Sequence, residues 1–382
     1  MRFALLGSDS YGRALTDALL QSDSHELLYY FPEQKDATLP EEWGNAKLIY
    51  DGEEIRADPA VEMIIVASHL DRRADHLRRS IQSERHVLCL YPTEAKPDSA
   101  YEASMIQQET GYLLMPLIPE LVHPALRRLH EILSAEECMI GSIQLVDLEH
   151  RSAGPLADET LCLPNWTALR MLGGEIVEVS LLASEEEIGE ESTLLVSGRF
   201  EKGGMFQQSL MPNQQVDRYR IRILGTEGEL ELFCPLGLEA SAILSWHDSR
   251  GELQEEHWNE WSPWELLAEE LEASLEQKKA TLDWQDAIRA LELDDAVRRS
   301  HKRGKTVQLE YPDAGEEVNF KGTMTLIGCA LLWIIILLAF LSRFVPWLGW
   351  GIGPVLFIFL VTQLLRYVIP SREEESAPDS ED

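Results

Sequence analysis

Residues 62–67 read Glu-Met-Ile-Ile-Val-Ala, an unbroken apolar run behind a single acid. The run is too short for a helix and shows no polar alternation, which is what a strand covered on both faces of a parallel sheet requires. Working outward, Arg2-Phe3-Ala4-Leu5-Leu6 is a similar run that stops at Gly7, and Tyr11, Ala14, Leu15, Ala18 and Leu19 then recur at helical spacing. Further strands are expected at Glu26–Phe31, 47–50, His86–Leu90 and 111–115. Strands that alternate with helices in this way predict a doubly wound α/β sheet, with ligands bound at the carboxyl ends of the strands.

The first turn is Gly7-Ser8-Asp9-Ser10-Tyr11-Gly12. It approaches the G-x-G-x-x-G pattern, in which a helix N-terminus receives a dinucleotide's pyrophosphate. The outer glycines are present, but Asp9 replaces the middle one, whose absent side chain normally lets the phosphates come close. A carboxylate about 4 Å from a phosphate costs on the order of 4 kcal/mol at an effective dielectric near 20. The acid expected at the end of the second strand is present only as Glu33, one residue late. Two readings stay open: a weakened dinucleotide cradle, and a turn that only packs helix on sheet.

The 382 residues are too many for one ordinary core, and the formal net charge of -33 excludes a nucleic-acid partner, which needs a basic footprint. Adhesion to anionic lipid is excluded for the same reason. The five cysteines, Cys89, Cys138, Cys162, Cys234 and Cys329, have no paired spacing, so neither a disulfide framework nor a metal site is expected. His69 and His76 share a helix face, as do His123 and His130, without the further ligands a metal needs. Arg72, Arg73, Arg78 and Arg79 read as a solvated helix face on which Arg72 or Arg73 could meet an anion, and Glu185 to Glu191 reads as an exposed acidic loop.

From Thr323 to Ser342 the chain runs without a charge, long enough to cross a hydrocarbon core about 30 Å thick. A second apolar run, about 347–365, follows a Pro- and Gly-containing turn flanked by Trp347 and Trp350. Two transmembrane helices within 323–368, about 323–342 and 347–365, are therefore expected, with a re-entrant second segment as the alternative, so the lipid bilayer is a partner. The basic residues Arg298, Arg299, Lys302, Arg303, Lys305 and Lys321 before the first span, and Arg366 and Arg372 after the second, place both termini in the cytoplasm. The apolar run at the N-terminus is too short for a signal peptide. Residues 369–382 are expected to be an acidic, disordered tail.

The stretch Asp58-Pro59-Ala60-Val61-Glu62-Met63-Ile64-Ile65-Val66-Ala67-Ser68, followed by His86-Val87-Leu88-Cys89, resembles the glucose-fructose oxidoreductase and inositol dehydrogenase family (Gfo/Idh/MocA). Later stretches agree in order. Met139-Ile140-Gly141-Ser142-Ile143 is similar to the family's first strand after the crossover helix, 224–232 to its glycine-turn hairpin, and 284–309 to its closing helix and strand. The resemblance implies a Rossmann domain over 1–118. It also implies an α+β domain over 119–314, whose open, mainly antiparallel sheet faces substrate and often a second copy. It implies NAD or NADP as cofactor and a small sugar-like ligand, with Gly7, Ser10, Tyr11, Gly12, Ala67, Ser68 and Pro92 at cofactor-contacting positions.

The family's catalytic positions are not matched. Its Glu-Lys-Pro corresponds to Leu90-Tyr91-Pro92, and Lys96 is out of register. Its Asp and His fall at Thr160 and Pro164, with Asp158 the nearest acid. Tyr91 then reads as a wall of the former site. Losing one positioned acid or base typically costs ~10²–10⁴ in rate. The sequence therefore predicts a catalytically degenerate, membrane-tethered binding or scaffold module with weakened NAD(P) binding. The alternative is an active NAD(P)-dependent oxidoreductase on a sugar or polyol derivative with a remodelled site.

Overall fold

The computed structural model describes residues 1–309, except 35–36, 92–96, 136–137, 156–161, 237–240, 248–251, 260 and 278–282. The chain divides after Leu309, and the second unit, Glu310–Asp382, lies outside the described residues. The expected transmembrane helices and acidic tail fall there. Pro92, Lys96, Asp158 and Thr160 are outside the described residues too. Among the described residues no helix is long and apolar enough to cross a membrane.

The first sheet is built from β1 (Arg2–Leu6), β2 (Glu26–Phe31), β3 (Lys47–Leu48), β4 (Met63–Val66), β5 (His86–Leu90) and β6 (Leu114–Leu117). Between them run α1 (Ser10–Leu19), α2 (Gly52–Ala57), α3 (Leu70–Gln82) and α4 (Asp98–Thr110), and α5 (Pro124–Ser134) follows. The order β3-β2-β1-β4-β5-β6, all parallel, is the doubly wound sheet expected from the alternation of apolar runs. Side chains of β1 alternate between the two layers, as a period of two demands. Phe3 and Leu5 pack with Leu15 and Leu19 of α1, while Ala4 and Leu6 pack with Ile55, Leu77 and Ile81.

The second sheet joins β7 (Ile143–Arg151), β8 (Ile176–Ala183), β9 (Leu194–Phe200), β10 (Met205–Met211), β11 (Arg218–Gly225), β12 (Glu229–Cys234), β13 (Ala242–His247) and β14 (Leu253–Trp258). Helix α6 (Trp166–Gly173) precedes β8, and α7 (Pro263–Gln277), α8 (Trp284–Arg303) and β15 (Val307–Gln308) follow β14. The order is β14-β13-β12-β11-β7-β10-β9-β8-β15, antiparallel throughout except for the β10–β7 pair. One face is apolar core. The other carries ion pairs such as Arg151–Glu149 at 2.6 Å and Arg222–Glu229 at 2.7 Å.

Of three differences from the sequence reading, two have local causes. Strand β6 begins at Leu114 rather than at 111, because Gly111 adopts φ 73° to cap α4, its N–H bonding Gln107 O at 2.7 Å. Strand β3 is only two residues long. Strand β7 begins at Ile143 because 139–142 form a turn docked on the β11–β12 hairpin, where Glu227 N–H bonds Ile140 O and Thr226 N–H bonds Ser142 O. The closing helices also return to the first sheet. Leu267 and Leu271 of α7 pack with Leu15 and Leu19, and Trp284, Ala287 and Ile288 of α8 pack with Ile64 and Val66.

Candidate functional site

The strand order of the first sheet reverses between β1 and β4, so the crevice where this fold receives ligands opens at the carboxyl ends of those two strands. The turn from β1 into α1 is pinned against β4. Gly7 has φ +112°, and a Cβ there would lie 2.0 Å from Ala67 O; a Cβ on Gly12 would lie 2.2 Å from the Ala67 Cβ. Gly7 N–H bonds Phe31 O at 2.8 Å and Asp9 N–H bonds Ala67 O at 3.1 Å. Both outer glycines and Ala67 thus serve strand–helix packing, and two of the turn's N–H groups are spent within the fold.

Asp9 does more than crowd the cradle. It is the N-cap of α1, and its Oδ1 accepts from Tyr11 N–H at 2.9 Å. Glu33, read from the sequence as a misplaced ribose ligand, crosses from the end of β2 to the start of α3. There both of its carboxylate oxygens accept from His69 N–H, at 2.9 and 3.0 Å. The two helix starts that flank the crevice therefore each hold a carboxylate of the chain itself, and the partial positive charge that would attract a diphosphate is already matched.

Arg73 departs from the expected solvated face. It is buried, and its Nε donates to Ser68 O at 2.9 Å. Burial pulls its guanidinium below its ordinary value, while the carboxylates of Asp9 and Glu33 are among the groups that oppose the shift. Arg78 and Arg79 do lie on the solvated face, paired with Asp75 at 2.8 and 3.0 Å. Ser68 is buried, its hydroxyl 2.6 Å from His76 Nδ1, whereas Ser10 is exposed. His69 pairs with Asp71, His123 Nδ1 caps α5 by accepting from Ala125 N–H, and His130 Nδ1 lies 2.8 Å from Met171 O. Among the described residues no group of three His, Cys, Asp or Glu side chains could hold a metal ion.

Beyond the carboxyl ends of β5 and β6 lies a cavity of ≈ 290 Å³, closed on its far side by the segment that enters α6. Its wall includes Tyr11, Tyr91, Glu120, Cys162, Pro164 and Asn165. The structure thus brings together Tyr91 and Pro164, which the sequence resemblance aligned with two of the family's catalytic positions, with Tyr11 from the first turn. The far wall is tied down from behind. Gln208 Nε2 donates to Pro164 O at 2.9 Å, and Asn165, held at φ 73°, places its Nδ2 3.4 Å from His150 Nδ1.

Asp294 of α8 is a functional candidate that the sequence reading missed. It is fully buried behind the same wall, and its Oδ1 accepts from Leu163 N–H at 3.0 Å and from Trp166 Nε1–H at 2.7 Å. The Tyr91 hydroxyl interacts with this carboxyl group, although neither it nor Asp294 Oδ2 has a hydrogen bond of standard geometry among the described residues. Burial pushes the Asp294 carboxyl up to about 7, and burial with the adjacent carboxylate pushes the Tyr91 phenol well above its ordinary value. His150, also missed, is pushed down to about 4 by burial and is neutral at physiological pH. A sequence signal for Asp294 existed: Ala287, Ala290, Asp294 and Val297 recur at helical spacing, so an acid sits within the apolar stripe of α8.

Asp294 has a consequence for stability. The folded carboxyl holds its proton to about pH 7, whereas an unperturbed one releases it near 3.8. The folded state therefore binds more protons between those values, and this group's contribution to stability falls as pH rises through that window. Asn at 294 can still accept from Leu163 and Trp166 but carries no charge. Asp294→Asn is expected to match the parent chain near pH 4 and to exceed it by ~2 kcal/mol at pH 8 in thermal or urea unfolding. An equal pH dependence in both proteins would show that the carboxyl does not hold its proton.

No protein-family model and no curated protein matches the sequence. Solved structures do match. An aldose-aldose oxidoreductase from Caulobacter crescentus, complexed with glycerol, aligns with TM-score 0.69 and 16% identity over 81% of this chain and 99% of its own. A levoglucosan dehydrogenase in complex with NADH and levoglucosan aligns with TM-score 0.67 and 14% identity over 81% of this chain and 100% of its own. An oxidoreductase from Agrobacterium radiobacter, bound to NAD+, L-tartaric acid and magnesium, aligns with TM-score 0.67 and 14% identity over 81% and 98%. At such identities the likeness is one of fold: the parallel Rossmann-like sheet joined to a mixed second sheet is the fold of these oxidoreductases.

Proposed function

We propose that this chain is a divergent, membrane-tethered relative of the Gfo/Idh/MocA proteins that acts as a binding or scaffold module, its NAD(P) site weakened or lost. The observation that carries the reading is the occupation of both crevice-facing helix starts by Asp9 and Glu33. A diphosphate entering there would meet two like charges and would have to break the hydrogen bonds each carboxylate makes. Tyr91 and Pro164 support the reading further, because a phenol raised by burial and an imino acid cannot relay the proton of an alcohol at neutral pH.

The apolar runs 323–342 and 347–365 would supply the tether, with the described domains and both termini in the cytoplasm. A small sugar-like ligand would occupy the cavity at Tyr91, and the ion-paired outer face of the second sheet is where two copies would associate. The test is a fluorescence titration of the full-length chain in detergent with NADH and with NADPH. No saturation up to about 1 mM is expected, equivalent to less than about 4 kcal/mol of binding. Micromolar binding with hydride transfer to a polyol would overturn the proposal.

One observation favours an active oxidoreductase with a remodelled site as the second reading. Asp294 is an acid poised near neutrality beside Tyr91, an arrangement able to hold and release a proton at the cavity wall. The same titration separates the two, since this reading requires the cofactor to bind.

A further inference from the structure

The segment that closes the cavity on its far side is tied to the molecule through a buried acid. Asp294 Oδ1 accepts from Leu163 N–H at 3.0 Å and from Trp166 Nε1–H at 2.7 Å. Trp166 is anchored independently, since its ring is buried and packs edge-on against Phe206. The stretch before it is held differently. Cys162, Pro164 and Asn165 are half-buried, and Asn165 has φ 73°, a left-handed value from which rotation relieves backbone strain. Gln208 Nε2, on Pro164 O at 2.9 Å, and His150, near the Asn165 amide, also tie this stretch down.

The charges around Asp294 decide where its proton goes. Tyr91 faces it from the end of β5, with Cys162 beside Tyr91 and Arg73 of α3 within reach of Cys162. On α8, Arg298 lies one turn further along, 3.9 Å from Asp295. His150 of β7 meets the wall at Asn165 and is pushed down to about 4 by burial, so it is neutral above pH 5. Across the cavity stand Glu120 and, behind Leu121, Arg127, which bonds Leu121 O at 3.5 Å and pairs with Glu270 at 2.8 Å. Arg298 lessens the effect of burial on Asp294 without cancelling it, so the closed wall favours the protonated acid.

We propose that residues 162–165 form a proton-operated latch on this cavity, closing it while Asp294 is protonated and swinging out about Asn165 to open it once Asp294 is ionised. Opening breaks the Leu163 bond and lets water reach the carboxyl group, which then ionises as an ordinary aspartic acid does. The closed state therefore keeps a proton that the open state gives up. Opening grows by up to about tenfold per pH unit from the ordinary carboxylate value to the raised one, and levels off above it. Because burial pushes Asp294 up to about 7, that window runs from about pH 4 to about pH 7. The cavity is latched in acid and exchanges its contents near neutrality. The latch rests on the reading that the cavity takes a ligand, to which it adds a control.

Hydrogen exchange of the Leu163 amide, in the full-length protein in detergent, reads the latch directly, because Asp294 accepts that N–H. Rates would be taken by mass spectrometry with electron-transfer fragmentation between pH 5 and pH 8 and divided by the intrinsic exchange rate at each pH. Protection is expected to fall at least about tenfold from pH 5 to pH 7 and to level off by pH 8. In Asp294→Asn the amide oxygen still accepts from Leu163 but no proton is lost, and the change should be less than about threefold. Ile65, buried in β4, should stay better protected than Leu163 at every pH.

A smaller fall in the parent chain or an equal fall in Asp294→Asn would overturn the proposal. So would equal protection at Leu163 and Ile65, which would make the opening a global unfolding. If the variant fails to fold, the levelling in the parent chain still decides, because a fall that continues to pH 8 belongs to another group. Neither ligand nor cofactor enters this measurement, so the latch can fail while the binding-module reading stands, and the NADH titration can overturn that reading while the latch stands.

Discussion

Replacing Asp9 with glycine is expected to tighten NADH binding by the full-length chain at least about tenfold. The substitution removes a negative charge from the start of α1 and frees Tyr11 N–H, the group that Asp9 Oδ1 now occupies. It also supplies the middle glycine of the G-x-G-x-x-G pattern, so a phosphate can approach the backbone. The fold should tolerate it, because exchanging an acidic N-cap for glycine costs only a few tenths of a kcal/mol. Adding Glu33→Gln should tighten binding further. The amide oxygen can still accept from His69 N–H, so α3 stays capped while the second charge is removed. If Asp9→Gly leaves the affinity where it was, the carboxylate is not what keeps the dinucleotide out.

The second large effect concerns the glycines that the pattern retains. Gly12→Ala is expected to destabilise the fold by about 3 kcal/mol, at the upper end of the cost of overpacking a well-filled site. The added methyl would sit 2.2 Å from the Ala67 Cβ and 3.2 Å from Leu5 Cδ1, neither of which can retreat from a buried layer. Because the principal clash is one methyl against another, Ala67→Gly in the same chain should recover most of the loss. A coupling of about 2 kcal/mol is expected from the double-mutant cycle, read by thermal unfolding. Additive effects would mean that the α1–β4 contact is looser than the structure has it. Rescue would show that Gly12 is kept for helix-on-sheet packing, a role that needs no cofactor.

Both predictions come from a turn whose departure from pattern was visible in the sequence, and the limits of that reading are physical. Asp9 could be seen to crowd and to repel. Its acceptance of Tyr11 N–H could also have been inferred, since Asp is a favoured N-cap and the helical spacing starts just after it. Glu33 is different. Its partner, His69 N–H, is 36 residues away, and no local rule links the end of β2 to the start of α3 until the sheet order places both beside β1. Arg73 was grouped with Arg72, Arg78 and Arg79 by composition alone, whereas a helix turns it by about 100° from its neighbour and so buries it.

The strands were legible wherever apolar runs are continuous, as in β1, β4 and β5, because burial on both faces leaves no ambiguity of period. The start of β7 was misplaced because residues 139–142 are as strand-like as those that follow. What holds them in a turn is the tip of a hairpin more than eighty residues later. At the cavity, Tyr91 and Pro164, which the resemblance sets at catalytic positions, both line the wall. Asp294 and His150 were not foreseen, since each is far in sequence from the wall it supports and is recognisable only once α8 and β7 are packed behind it.

The central claim is that the chain fills its own dinucleotide cradle. Crystals of the full-length protein grown with millimolar NADH test it most directly. Asp9 Oδ1 is expected on Tyr11 N–H and the Glu33 carboxylate on His69 N–H, with no dinucleotide density at the carboxyl ends of β1 and β4. A diphosphate seated on Tyr11 N–H, with the Asp9 carboxylate rotated out of the crevice, would contradict it.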